Sequence, residues 1–262
     1  MAYFPLFNIT DAAGFTNLAN FSPNNWEKPV KGDLFVTSFR TDGDVWHARD
    51  EGIIEPDCYR MFETNQFELK SNELESEIIL FQLCTEKSDS ALTLLEPDRL
   101  IATHLPEWRA TVGVKRNGAQ ASYQGEVNPF PNKASLLTFH PFIQVQETEN
   151  YLVLLNVESS PLFRWSELEI YSSETEKIID IVHVKNNCIS IIPLDQYGFS
   201  EKELPIFQCK KMAGIPFGFG KSKTSSILSL EHTHPPGSLT LFGNRFNAQK
   251  HTKSQWSKFL KS

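Results

Sequence analysis

Three groups of residues near the C-terminal end are of types that do chemistry. His232 and His234 are separated by one residue. On a strand, residues two apart point to the same face, so the pair would offer two imidazoles to one metal ion. Zn²⁺ is the commonest fit, with a third ligand drawn from His104, His140, His183 or one of several acids. The second group is Gly214–Lys223. Closely spaced glycines such as Gly218 and Gly220 let backbone N–H groups approach an anion, and Lys221, Lys223 and, further on, Arg245 add positive charge. The third is Lys250, Lys253, Lys258 and Lys261, which on one helix would contact a nucleic-acid backbone without reading its sequence.

Each group has a plainer structural reading beside the functional one. The histidines would end a strand and bond to loop carbonyls. The glycines would make turns above a packed Phe217 and Phe219. The terminal lysines would solubilise a helix docked through Trp256.

The motifs stop short of complete signatures. Gly218-Phe219-Gly220-Lys221-Ser222 looks like a phosphate loop, but counting back from Gly220 puts Ile215 where the first glycine belongs. His232-Thr233-His234-Pro235 resembles the histidine motif of the JAMM/MPN metalloproteases, which also ends a strand. The resemblance covers four residues and implies a metal-dependent enzyme. That family follows its histidines with a Ser and an Asp ligand, and cupins, which also use His-x-His, add a Glu. No Asp or Glu follows Glu231 in this chain, so neither set is completed downstream. The glycine-rich basic stretch is similar to loops of the RAMP proteins of CRISPR systems that contact RNA. That match is a handful of residues, and no function is carried over from it. A Gly-x-Ser-x-Gly elbow is absent.

Charge is spread unevenly. Of 25 Lys/Arg and 32 Asp/Glu, nine basic residues and one acid fall in 210–262. That leaves 16 basic and 31 acidic residues in 1–209, so a body of −15 carries an end of +8. The asymmetry points to an anionic partner, nucleic acid or an acidic protein surface, or to docking of the end on the chain's own body. Cys58, Cys84, Cys188 and Cys209 are widely spaced, with no Cys-x-x-Cys pair. The first residues lack the basic and apolar regions of a signal peptide. No apolar run approaches the roughly 20 residues of a membrane helix, so the reading is a cytoplasmic protein with free thiols and no membrane contact.

The elements that must position these groups are mostly strands. Leu34–Arg40, Glu77–Thr85, Ser135–Gln146, Tyr151–Val157, Leu168–Ser172 and Ile227–His234 read as strands. Arg109–Arg116 and Ala119–Gln124 alternate around Asn117-Gly118, the pair a type I′ hairpin turn needs. Ile178–Val184 and Cys188–Ile192 read as a second hairpin around Lys185–Asn187. Helices are expected from Thr10 or Asp11 to Asn20, from Pro56 to Lys70, and over Ala248–Leu260. No internal repeat is visible.

Together these features predict a mostly β protein with an antiparallel sandwich-like core, few short helices and a C-terminal helix. A ferredoxin-like α+β arrangement is the alternative. The chain divides into a loop-rich 1–32, an acidic β-rich body 33–209, and a basic segment 210–262 packed on it. The leading functional expectation is a non-enzymatic binding protein whose basic segment receives an anionic group through Gly218, Gly220, Lys221, Lys223 and Arg245. The alternatives are a metal-dependent enzyme built on His232 and His234, with Zn²⁺ as the metal, and a structural subunit of an assembly with exposed aromatics as its interface. Nothing in the sequence decides between binding and catalysis, or gives the oligomeric state.

Overall fold

The computed structural model describes residues 3–21, 32–86, 110–132, 134–139, 147–200 and 203–232. The first half contributes β1 (Tyr3–Leu6), β2 (Ala13–Ala19), β3 (Leu34–Thr41), β4 (Trp46–Ile54), β5 (Tyr59–Glu63), β6 (Glu75–Glu77), β7 (Ile79–Cys84), β8 (Ala110–Arg116) and β9 (Ala119–Gln124). The second contributes β10 (Leu136–Phe139), β11 (Thr148–Asn156), β12 (Trp165–Tyr171), β13 (Ile178–Lys185), β14 (Cys188–Pro193), β15 (Ile206–Cys209), β16 (Ile215–Ser222) and β17 (Leu228–His232). All pairings are antiparallel. Sheet A runs β1-β7-β3-β4, sheet B β5-β2-β8-β9, sheet C β17-β16-β11-β14-β6 and sheet D β10-β15-β12-β13.

The two halves trace the same path. Take β10 to β17 in order and set them against β1–β5 and β7–β9. Sheet D then repeats the strand order of sheet A, and β14-β11-β16-β17 repeats that of sheet B. The extra strand, β6, leaves the first half and pairs with β14 in the second. Side chains mark the same correspondence. Lys115 stands opposite Ala13, two residues before Phe15, and its ammonium lies 5.5 Å from that ring. Lys221 stands opposite Glu149, two residues before Tyr151, and also lies 5.5 Å from the ring.

Three apolar clusters hold the layers. Leu34, Val36, Phe62 and Phe81 fill the space between sheets A and B. Leu152, Leu154, Leu168 and Phe207 fill that between C and D. The third joins the halves: Tyr3, Phe39 and Leu80 of sheet A meet Val153, Leu155, Phe217 and Phe219 of sheet C, with Val112 and Val114 of sheet B. Residues 152–155 alternate between the last two clusters, which explains the unbroken apolar run: β11 is buried on both faces.

The β-sandwich expectation holds. Asn117 and Gly118 take φ of 49° and 82°, as a type I′ turn requires. Other local expectations are corrected. Residues 13–19 are strand β2, because Thr16 and Leu18 alternate into the core between β5 and β8. The helix from Pro56 is instead β5 and a 3-10 turn over Thr64–Gln66. Asp57 has a φ of 59°, incompatible with a right-handed helix, and Phe62 points inward while Tyr59 and Met61 are exposed. β13 and β14 are no hairpin. They belong to different sheets, since both faces of 188–192 are buried and Asn186 and Asn187 turn inward. Four antiparallel sheets, with no α-helix among the described residues, stand in place of the ferredoxin-like alternative. The expected helix Ala248–Leu260 lies outside the described residues. No described helix is long and apolar enough to cross a membrane, and all four cysteines are free thiols.

Candidate functional site

The glycine stretch is a strand, not a loop. β16 lies between β11 and β17, with Gly218 opposite Leu152 and Glu231, and Gly220 opposite Asn150 and Ser229. An interior strand spends its N–H groups on its two neighbours, so these glycines do not form an open anion cradle. Lys221 Nζ lies 3.0 Å from Asp11 Oδ1 and 3.1 Å from Glu149 Oε2, with its side chain only 12% exposed. Lys223 donates its main-chain N–H to the Glu147 carbonyl at 2.7 Å, and its residue is exposed. Arg245 and His234 lie outside the described residues.

His232 ends β17 with its ring 4.9 Å from that of Tyr123 and stacked on Phe217 at 6.2 Å. His183 stands on β13 in another sheet. Among the described residues no three His, Cys, Asp or Glu side chains come together as a metal site would require. His104 and His140 lie outside the described residues.

A different surface collects unengaged chemistry: the outer face of sheet D. Along β12 the even positions Ser166, Leu168 and Ile170 turn inward, so Trp165, Glu167 and Glu169 face out. Across the ladder Glu167 stands opposite His183 and Glu169 opposite Ile181. With Lys210 and Lys211 these residues line a groove of about 310 Å³. Lys210 Nζ donates to Glu169 at 2.9 Å and Tyr171 Oη donates to it at 2.6 Å. Burial alone would raise the Glu169 carboxyl, but these two donors outweigh it and hold the group below its usual range. The side chains of Glu167, His183 and Lys211 have no hydrogen-bond or ion-pair partner among the described residues, and Trp165 is 59% exposed.

The loop leading into β12 is held from below. Glu158, almost fully buried, accepts from Arg164 through both carboxylate oxygens, Nε to Oε2 being 2.7 Å, and from Asn186 Nδ2 at 3.1 Å. Arg164 Nη1 also donates to the Lys211 carbonyl at 2.8 Å. Asn187 accepts from the Glu158 N–H and donates to the Ser160 carbonyl, each at 2.8 Å. From sheet A, Trp46 Nε1 donates to the Ser159 carbonyl at 2.9 Å and Thr41 Oγ1 to that of Pro161 at 3.0 Å. The loop so fixed shows Leu162 and Phe163 to solvent. Lys185 Nζ lies 4.6 Å from the Phe163 ring and 5.5 Å from that of Trp165.

In the sequence alone His183 is one candidate third metal ligand and Lys211 one of the basic residues of 210–262, while Trp165 and Glu167 belong to no motif. The alternation Trp165-x-Glu167-x-Glu169 against inward apolar residues was the available signal. No protein-family model, curated protein or solved structure matches this chain.

Proposed function

We propose that this chain is a non-enzymatic binding protein, a subunit that docks another protein on the outer face of sheet D. One observation carries the reading. Of the thirteen large hydrophobic residues exposed among the described ones, six lie on this face and its border: Leu162, Phe163, Trp165, Ile178, Ile179 and Ile181. Scattered exposed apolar residues need no explanation, but a concentration of aromatic and aliphatic side chains on a fixed loop and the two strands beside it is what protein interfaces use.

The repeat supports it. The corresponding face of sheet A is covered: Tyr3, Phe39 and Leu80 are buried against sheet C. The corresponding edge strands differ too. Exposed residues of β4 include His47, Arg49 and Asp50, whereas those of β13 include three isoleucines. The Ile181 N–H is capped by Asp180 Oδ1 at 2.8 Å, so contact through side chains is favoured over strand addition. Lys211, in the basic segment, borders the face and suits an acidic group on a partner, whereas Lys210 is paired with Glu169.

A photo-crosslinking residue placed at Leu162, Phe163 or Trp165 tests the proposal, with Arg49 and Glu55, exposed on the first half, as controls. A discrete higher-mass product is expected from the first three positions only. The same product in the purified protein alone identifies a second copy as partner. Equal yields from the controls, or no product from any position, overturn the proposal.

A further inference from the structure

We infer that the groove beside Trp165 is a carboxylate-recognition pocket that takes the end of a polypeptide: one carboxylate, a neighbouring amide N–H and an apolar side chain. This rests on the docking reading and names what the partner presents. The lining charges select the ligand class. Lys210 and Glu169 already satisfy one another, at 2.9 Å. Among the described residues the unengaged groups are the Lys211 ammonium, the His183 imidazole and the Glu167 carboxylate, with the Trp165 indole as the apolar wall.

A phosphate dianion would enter a groove that holds two carboxylates, Glu167 and Glu169, and a simple cation would meet two ammonium groups. A ligand with a single negative charge and an N–H donor satisfies both signs. Its carboxylate accepts from Lys211 and His183 through charge-assisted hydrogen bonds, and its amide N–H donates to Glu167. The adjoining side chain covers the exposed indole, which offers a large apolar area at low conformational cost. The volume, about 310 Å³, sits at the small end of ligand sites and suits the last residues of a chain better than a folded surface.

Binding of fluorescently labelled acetyl-Ala-Leu-Phe as the free acid, as its C-terminal amide, and of acetyl-Ala-Asp-Phe-amide tests the inference by anisotropy. The free acid should bind about fivefold to tenfold tighter than the amide. In Lys211→Gln that preference should fall below about twofold, and Trp165→Ala should weaken acid and amide alike. The Asp-containing amide separates the two sources of a carboxylate. If it binds like the plain amide the site reads a chain terminus, and if it binds like the acid the site reads an acidic side chain. Equal binding of acid and both amides, or an acid preference that survives in Lys211→Gln, overturns the assignment, as does displacement by inorganic phosphate at the same concentration as the acid. Cross-linking at Leu162 and Phe163 without acid preference leaves the docking face and removes the pocket. Acid preference without cross-linking does the reverse.

Discussion

Lys221 and Asp11, 210 positions apart, are joined by a 3.0 Å ion pair that ties β16 to the start of β2. Arg116, at the end of β8, reaches the same carboxylate at 2.7 Å and also donates to the Ser222 carbonyl at 3.2 Å. One acid of the first half thus gathers a cation from each half.

The Asp11 carboxylate therefore carries a pH dependence of known sign. Burial would raise it, but hydrogen bonds from Arg116 and Lys221 outweigh that and hold it well below the usual range. A depressed acid adds stability that is complete above its unfolded value and is lost as pH falls through the folded one. Asp11→Asn should lower stability near neutral pH by about 1 kcal/mol, a modest figure because the side chain is half exposed and screened. The gap between wild type and variant should close only below about pH 3. Urea unfolding at neutral and acidic pH measures it. A gap independent of pH would remove the electrostatic explanation.

Gly14 should tolerate no side chain. A Cβ there would lie 1.8 Å from the Phe7 carbonyl oxygen and 3.0 Å from Thr64 Cγ2. The first obstacle is backbone and cannot rotate away. Gly14→Ala is expected to cost more than about 2 kcal/mol, read as a lower urea midpoint with an unchanged slope. A midpoint equal to wild type would show that β2 and residue 7 can separate at little cost.

Tyr123 should be improved by losing its hydroxyl. Its Oη is buried without a hydrogen-bond partner among the described residues, and burial pushes the phenol far above its usual range. The ring packs 4.9 Å from that of Phe217, a contact a phenylalanine keeps. Tyr123→Phe relieves an unpaired polar atom and should stabilise by about 1 kcal/mol, visible as a melting temperature raised by about 2 °C. A drop in melting temperature would mean that the hydroxyl finds a partner in solution.

Glu158 should control the docking loop. Glu158→Ala leaves the Arg164 guanidinium and the Asn186 amide without their shared acceptor. The expected cost is about 3 kcal/mol, together with faster amide hydrogen exchange over residues 158–165. Exchange unchanged there would show that the contacts from Trp46, Thr41 and Asn187 suffice to fix the loop.

Legibility followed the range of the interactions. The β8–β9 turn could be read because Asn117-Gly118 settles its own conformation. The glycines of β16 were misread because Gly218 and Gly220 look the same in a turn as in a strand. Only the partners on either side, Leu152 and Glu231, Asn150 and Ser229, tell the two apart. Lys221 looked available because its acids come from distant positions, Asp11 and Glu149. The outer face of sheet D was obscured for a related reason. Trp165 becomes an exposed platform only once the Glu158 and Asn186 contacts place the loop before it.

By itself the sequence determined that this is a β protein, where several strands run and where one hairpin turns, since alternation and positive-φ residues act over a few positions. The tertiary structure decided the repeated path, the burial of one copy of a sheet face and the exposure of the other. Strand order is set by pairing between residues tens to hundreds of positions apart, and the same order can be built from side chains that share almost no pattern.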